Sequence, residues 1–127
     1  MIKLMMIAGG GGVGALLRYA VAGWAQKLGT GTFPVGTLVV NIAGCILIGI
    51  LAGSFAGPHL VREEYRTALL VGFLGAFTTF STFGWETTAL INNGDFGFAA
   101  LNVLLHNVLG LASVWLSYSI TEKWIGV

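Results

Sequence analysis

Four long apolar stretches follow one another along this chain and leave little else. They run from about residue 4 to 24, 35 to 55, 67 to 91 and 96 to 119. Each is close to the roughly 20 residues that a helix needs to cross the hydrocarbon of a bilayer. The short segments between them are rich in Gly, Pro, Asn and Asp, which favour turns. The pattern predicts four transmembrane helices that form one domain over residues 1–127.

Charged side chains are too scarce to coat a globule in water. They make up 9% of the 127 residues, and hydrophobic residues make up 56%, whereas a soluble domain carries about 25% charged residues. We therefore expect an all-α, multi-pass protein whose surroundings are the lipid bilayer of the cell membrane, either an inner or a plasma membrane. A net charge of +1 without a basic stripe gives no reason to expect a nucleic-acid partner.

The basic residues bear on how the chain is oriented. With four spans, both termini and the second linker lie on one side of the membrane. Four basic residues lie on that side: Lys3, Arg62, Arg66 and Lys123. The other side has Lys27, so the count favours cytoplasmic termini. A cleaved signal peptide is disfavoured, because Arg18 interrupts the first stretch and three further spans follow.

The third stretch has an unusually polar centre. In GFLGAFTTFSTFGWE, residues 72–86, four hydroxyl side chains fall within five positions, close to three glycines and a carboxylate. Irregular backbone at membrane depth is tolerated only where protein or water satisfies its polar groups. Ion-handling proteins place their binding sites at such breaks. The segment therefore predicts a broken third helix with an ion site, with a kinked packing helix as the alternative.

Aromatic and amide side chains accompany this segment. Phe80 and Phe83 are three residues apart and are neighbours on one helical face. A phenyl ring has a positive edge, which can line the path of a small anion without a fixed charge that would trap it. In the second stretch, Asn41 either offers its amide to such an anion or bonds a neighbouring helix, and Thr37 lies one turn earlier on the same face.

Other polar residues within the spans leave two readings open. Arg18 either attracts anions to a vestibule or has a structural role, because a cation at membrane depth faces protein or water. In the fourth stretch, Asn102 and His106 are four residues apart and face either a partner helix or a wet path. Glycines four residues apart in the first and second stretches predict close helix packing. These glycines are Gly10, Gly14, Gly49 and Gly53.

Taken together, GTLVVN at residues 36–41 and GFLGAFTTFSTFGWE at residues 72–86 resemble the Fluc (CrcB) fluoride channels. The resemblance covers essentially the whole chain. It implies a fluoride-selective, passive ion channel that exports cytoplasmic fluoride and confers fluoride resistance. It also implies an antiparallel, dual-topology homodimer of four-helix subunits, for which a near balance of basic residues is expected rather than the bias seen here.

The resemblance also implies roles for single residues. The fluoride pore would be lined by Asn41, Thr79, Phe80, Ser81, Thr82, Phe83, Asn102 and His106. Many members have Tyr and Ser where this chain has the last two. Backbone carbonyls of Gly75 and Thr78 from both subunits would hold a structural Na⁺ at the dimer centre. Arg18 and Glu86 would have vestibule or structural roles.

The main alternative is a small four-span multidrug/proton antiporter. Such a transporter binds cations at a carboxylate within the membrane, usually in its first helix. The first stretch here has no acidic residue, and Glu86 is the only acid within any of the four stretches. We do not expect an enzyme, because the stretches offer no cysteine–histidine pair, no metal-ligand spacing and no acid pair. The single Cys45 rules out a disulfide within the chain and is expected to be a packing residue.

Overall fold

The structure, a computed structural model, describes residues 1–29, 31–57 and 61–125. Within these ranges its regular secondary structure is entirely helical, and it has no β-strand. Four helical segments are long and apolar enough to cross a membrane: Ile2–Gln26, Val35–Ala56, Glu63–Asn92 and Phe96–Ile125. The prediction of an all-helical chain with four membrane-spanning helices is confirmed, and most of the segments extend a few residues beyond the predicted apolar stretches.

The first two spans are single helices, α1 (Ile2–Gln26) and α2 (Val35–Ala56). The side chain of Gln26 closes the turn between them. Its Nε2 donates to the carbonyl of Phe33 at 3.0 Å, and its Oε1 accepts the amide of Gly36 at 2.9 Å. The first amides of a helix have no partner within the helix. Gln26 therefore ends α1 and satisfies the start of α2 at the same time.

The third span is composed of several helical pieces. In order, they are α3 (Glu63–Thr67), a π-helical segment (Ala68–Leu74), α4 (Gly75–Phe77) and α5 (Phe80–Asn92). Between α4 and α5, Thr78 has φ −89° and ψ 164°, and Thr79 has φ −154° and ψ 120°. Both residues have extended backbone. The fourth span is one helix, α6 (Phe96–Ile125).

Two contacts between distant parts of the chain fix the arrangement of its ends. Lys3 Nζ donates to Glu63 Oε1 at 2.6 Å, which joins the start of α1 to the start of α3. Thr32 Oγ1 donates to Asp95 Oδ2 at 3.2 Å, which joins the first and third linkers. The N-terminus and the beginning of the third span therefore lie at one end, and the other two linkers lie at the opposite end, as four successive crossings require.

Glycines bring α1 into direct backbone contact with the π-helical segment. A Cβ on Gly10 would lie 2.8 Å from the carbonyl oxygen of Ala68, and one on Gly14 would overlap the carbonyl oxygen of Phe73. The contact is reciprocal, because a Cβ on Gly72 would lie 2.7 Å from a backbone oxygen of α1. The packing role predicted for the two α1 glycines is therefore confirmed, and α1 positions the beginning of the third span.

A second glycine interface joins α2 to α6. A Cβ on Gly49 would overlap the hydroxyl of Ser117, and one on Gly53 would lie 2.9 Å from the Cβ of Thr121. Here too the predicted packing role is confirmed. Because small residues let the backbones approach closely without a hydrophobic driving force in lipid, this interface fixes where α6 lies relative to α2.

Candidate ion-binding groove

A groove of about 360 Å³ opens beside the extended residues Thr78 and Thr79. Its wall is formed by α2, the third span and α6, so three of the four spans contribute. Seven of the predicted site residues line it: Asn41, Gly75, Thr78, Thr79, Phe80, Phe83 and His106. The remaining wall residues are Gly44, Cys45, Ile48, Leu70, Leu74 and Asn107. None of these wall residues is Lys, Arg, Asp or Glu.

Asn41 of α2 is bonded to the backbone of the extended segment. Its Nδ2 donates to the carbonyl of Thr79 at 3.0 Å, and its Oδ1 accepts the amide of the same residue at 2.8 Å. In an uninterrupted helix, that amide would bond the carbonyl of Gly75. One amide side chain therefore replaces the bonds that the extended conformation removes, and one of the two Nδ2 hydrogens remains for a ligand.

Thr79 also begins the second half of the third span. Its Oγ1 accepts the amide of Thr82 at 3.2 Å, which is the N-cap bond of α5. The same oxygen lies 3.0 Å from the Thr82 hydroxyl and 3.3 Å from the Ser81 hydroxyl. Ser81 and Thr82 do not line the groove, and their hydroxyls instead join that of Thr79 at the start of α5.

Arg18 reaches from α1 to the same segment. Its Nη1 donates to the carbonyl of Thr78 at 3.2 Å. That carbonyl has no helical donor, because the Thr82 amide is bonded to the hydroxyl of Thr79. A cation beside carbonyls that end a helix is favoured by the helix dipole. Arg18 therefore binds the end of the first half of the span, opposite the contacts that Asn41 makes.

The two predicted pore phenylalanines differ in their surroundings. Phe80 is 83% exposed, whereas Phe83 is 8% exposed. Their ring centroids are 5.3 Å apart, so the predicted contact between them is present. The ring of His106 also packs against Phe83, with a centroid distance of 4.5 Å and an interplanar angle of 42°. Phe83 thus contacts both of the other rings in the groove wall.

A chain of polar contacts connects α2, α5 and α6 next to this wall. Glu86 Oε1 accepts the hydroxyl of Thr37 at 2.7 Å. Asn102 is fully buried and donates from Nδ2 to Thr87 Oγ1 at 2.9 Å, and its carbonyl lies 3.0 Å from His106 Nδ1. Three buried atoms have no hydrogen-bond partner among the residues that the structure describes: Glu86 Oε2, Asn102 Oδ1 and His106 Nε2.

The structure therefore separates the predicted site residues into those that line the groove and those that lie outside it. Asn102 and Glu86 lie outside the groove, within the contacts between helices, and Arg18 reaches its edge from α1. No pattern in the sequence marks Thr87, whose hydroxyl is the partner of Asn102. Cys45 and Ile48 are wall residues that were not predicted. A signal for these two was present, because they follow Asn41 by four and seven residues, on the same face of α2.

Comparison with known proteins places this architecture in a family. The sequence model of the family described as "CrcB-like protein, Camphor Resistance (CrcB)" matches residues 5–118. Three relatives are each named "Fluoride-specific ion channel FluC". The one from Maridesulfovibrio salexigens is 42% identical over 114 residues, which cover 90% of each chain. The one from Geobacter metallireducens is 43% identical over 116 residues, which cover 91% of this chain and 94% of the relative.

The third relative, from Methylococcus capsulatus, is 48% identical over 126 residues. The match covers 96% of this chain and 54% of that longer protein. The four apolar helices and these relatives together identify a multi-pass membrane protein. Because the family model and the relatives each match most of its length, the chain belongs to the CrcB family.

Proposed function

We propose that this chain is a fluoride-selective, passive ion channel that exports cytoplasmic fluoride and thereby gives fluoride resistance. The names of its relatives support fluoride as the ion, and the lining of the groove supports passive conduction. One observation carries the proposal: the wall of the groove places an amide side chain, hydroxyl groups and two phenyl rings beside extended backbone, and it contains no Lys, Arg, Asp or Glu.

Fluoride holds its water tightly, so a selective path must replace that water with other hydrogen-bond donors. The remaining Nδ2 hydrogen of Asn41 is such a donor in the groove wall, and the Thr79 hydroxyl lies beside it at the start of α5. The positive edges of Phe80 and Phe83 attract an anion weakly. Because the attractions along the wall are weak, the ion can leave again. An inside-negative membrane potential drives an anion outward by about 2.3 kcal/mol per 100 mV.

The proposal includes a third transmembrane helix that is broken at Thr78 and Thr79. The extended dihedral angles of these residues support it. Asn41 takes the amide of Thr79, and Thr79 takes the amide of Thr82, so the carbonyls of Gly75 and Thr78 lose their helical donors. Released carbonyls at a break are groups that coordinate Na⁺ in membrane proteins.

These two carbonyls fit the structural Na⁺ that we propose for the dimer centre. A carbonyl oxygen has two lone pairs, so the bond from Arg18 leaves one at Thr78. One chain offers these two oxygens, and a second copy would offer two more. When bound, Na⁺ would supply positive charge that holds the carbonyls together, while fluoride passes along the amide and the rings.

The same proposal contains an antiparallel homodimer with dual topology. Phe80 is exposed at the opening of the groove, and a second subunit would cover it and complete the path. Antiparallel insertion would bring the two extended segments together near the middle of the membrane. The carbonyl pairs of both subunits would then face one ion.

A liposome assay tests the function directly. Purified protein is reconstituted into liposomes that are loaded with fluoride or with chloride, and ion-selective electrodes follow efflux. We expect rapid fluoride efflux only after a potassium ionophore removes the opposing potential, with little loss of chloride. Equal loss of both ions would contradict selectivity. Fluoride efflux without the ionophore would contradict a passive channel, and proton-coupled efflux of ethidium would favour the antiporter.

Asn41→Asp provides a matched variant for this assay. It keeps the size of the side chain but places a carboxylate in an anion path and removes the donor to the Thr79 carbonyl. We expect fluoride efflux to fall by about a hundredfold or more, which corresponds to about 2.7 kcal/mol. Size-exclusion chromatography in detergent checks that the variant folds. A folded Asn41→Asp protein that conducts like the parent would remove Asn41 from the path.

A further inference from the structure

The ring of His106 is the closest aromatic partner of Phe83 in the wall of the groove. The centroids of the two rings are 4.5 Å apart, compared with 5.3 Å between Phe83 and Phe80. Phe83 is nearly buried, so its ring cannot turn without moving one of these neighbours. His106 is therefore placed to fix the orientation of Phe83.

The contact of Nδ1 indicates which tautomer the neutral ring of His106 adopts. Nδ1 lies 3.0 Å from the backbone carbonyl of Asn102, and a carbonyl can only accept, so Nδ1 carries a hydrogen. In the neutral ring Nε2 then has a bare lone pair. This buried atom has no hydrogen-bond partner within the described ranges, although the backbone of Thr37 lies close to the ring. Adding a proton at Nε2 would therefore break no hydrogen bond.

The titratable groups around His106 are few. Among the residues of α5, only Glu86 titrates, and it shares Thr37 as a neighbour with His106. On α2 the only titratable group is the thiol of Cys45, which lines the same groove. On α6 itself, the nearest is Tyr118, three turns further along. Beyond these helices, Arg18 of α1 binds the Thr78 carbonyl at the groove's edge.

We propose that His106 is a positioning residue for Phe83, and that protonation of its ring at acid pH strengthens the attraction of Phe83 for fluoride and increases fluoride flux. This inference rests on the fluoride-channel function proposed above. A cation within about 6 Å of a ring centroid is attracted to the π face. It draws electron density toward itself, so the edges of the Phe83 ring become more positive and bind an anion more strongly.

The pH profile of fluoride efflux tests the inference. Efflux is measured at about pH 7.5 and about pH 4.5, an interval wide enough to contain the titration of a half-buried imidazole. Efflux from protein-free liposomes at each pH is subtracted, because HF crosses lipid. We expect the flux of the unaltered protein to rise about two- to fivefold on acidification, the range of a cation–π contact at a partly exposed site.

Three variants separate His106 from other causes. His106→Phe keeps an aromatic neighbour for Phe83 but cannot titrate, so its ratio of the two fluxes should fall to about one. His59→Gln removes the only other histidine and should keep the ratio of the parent. Glu86→Gln should also keep a rise on acidification. A parental ratio in His106→Phe, no rise in the parent, or loss of the rise in Glu86→Gln would each overturn the inference.

A second readout does not depend on flux. Nuclear magnetic resonance of protein with isotope-labelled His and Phe, with signals assigned by His106→Phe and Phe83→Leu, follows both rings during a pH titration. We expect the Phe83 signals to shift with the same midpoint as those of His106. Phe83 signals that do not follow His106 would overturn the inference. If the protein passes no fluoride at any pH, the proposed function fails, and this titration still decides whether His106 positions Phe83.

Discussion

Two amide side chains in this protein make the same pair of bonds in different surroundings. Gln26 donates to the Phe33 carbonyl and accepts the Gly36 amide at the end of the first span. Asn41 donates to the carbonyl and accepts the amide of Thr79, next to the groove. Gln26 is exposed at the end of α1, and water can replace its bond to the Phe33 carbonyl. Asn41 lies about a third of the way along its span, where little water competes.

The contribution of a hydrogen bond to stability therefore depends on what replaces the bond when it is lost. Near the membrane surface, water satisfies a released amide or carbonyl, so the net contribution of a bond is about 0.5–1.5 kcal/mol. Within the hydrocarbon, an unsatisfied backbone group costs several kcal/mol. The extended backbone at Thr78 and Thr79 is therefore much more dependent on a single side chain than the first linker is.

Asn41→Leu removes both hydrogen bonds between Asn41 and Thr79, and it has the largest expected effect. Leu has a similar shape but leaves both backbone groups of Thr79 without a partner, at about 1–3 kcal/mol each. We expect fluoride efflux to fall at least about a hundredfold and the melting temperature in detergent to drop. A variant that melts and conducts like the parent would show that other groups, or water, satisfy Thr79.

Arg18→Gln weakens the same segment from the side of α1. A hydrogen bond to a charged group contributes about 1.5–3 kcal/mol, and Arg18 donates one to the Thr78 carbonyl. We expect fluoride efflux about tenfold lower, measured in the same liposomes. Arg18→Lys, which keeps the charge, should recover part of the loss. Equal activity of the three proteins would mean that this contact does not support the groove.

Thr79→Val tests the start of α5 while leaving the contacts of Asn41 with the backbone in place. Loss of an N-cap side chain costs about 1 kcal/mol, so we expect a modest decrease in the melting temperature. Thr88→Val is the matched control, because the Thr88 hydroxyl only bonds the Gly84 carbonyl on an exposed face of the same helix. Equal melting temperatures for the two variants would argue against a capping role for Thr79.

Gln26→Met has the smallest expected effect and completes the comparison. The variant keeps the length of the side chain and removes both of its bonds. The contact with the Phe33 carbonyl is exposed, so water can replace it, and only the part-buried Gly36 amide loses its partner. We expect a loss of less than about 1 kcal/mol and fluoride efflux close to that of the parent. A loss as large as that of Asn41→Leu would mean that depth in the membrane does not set the cost.

The spans could be predicted from the sequence because length and apolar character alone define them. Their ends could not be placed as well, since α1 ends where the side chain of Gln26 meets the turn, and this contact is not visible in composition. The close packing of Gly10 and Gly14 was predictable, because small residues four apart mark one helix face. The π-helical segment that packs against them has no comparable signal.

Some residues of the groove were also predictable, because the composition and spacing of the third stretch mark them. The composition of residues 72–86 indicates that backbone bonding changes there, and the spacing of Phe80 and Phe83 predicts their contact. Which two residues are extended depends on Asn41, 38 positions earlier, and a local pattern does not contain that information. The packing of His106 on Phe83 is likewise a contact between two spans, so periodicity within one span could not predict it.

The backbone contact between α1 and the π-helical segment has a consequence for gating. At Gly10, Gly14 and Gly72, no side chain separates the two backbones, so neither helix can slide past the other without a collision between carbonyl oxygens and Cα atoms. Side chains that repack are what allow packed helices to shift in shear motions, and this interface has none at those three points. We therefore expect the two elements to move together as one body. Passing ions then meet a frame that does not shift, and the current through an open molecule should show no slow closing steps.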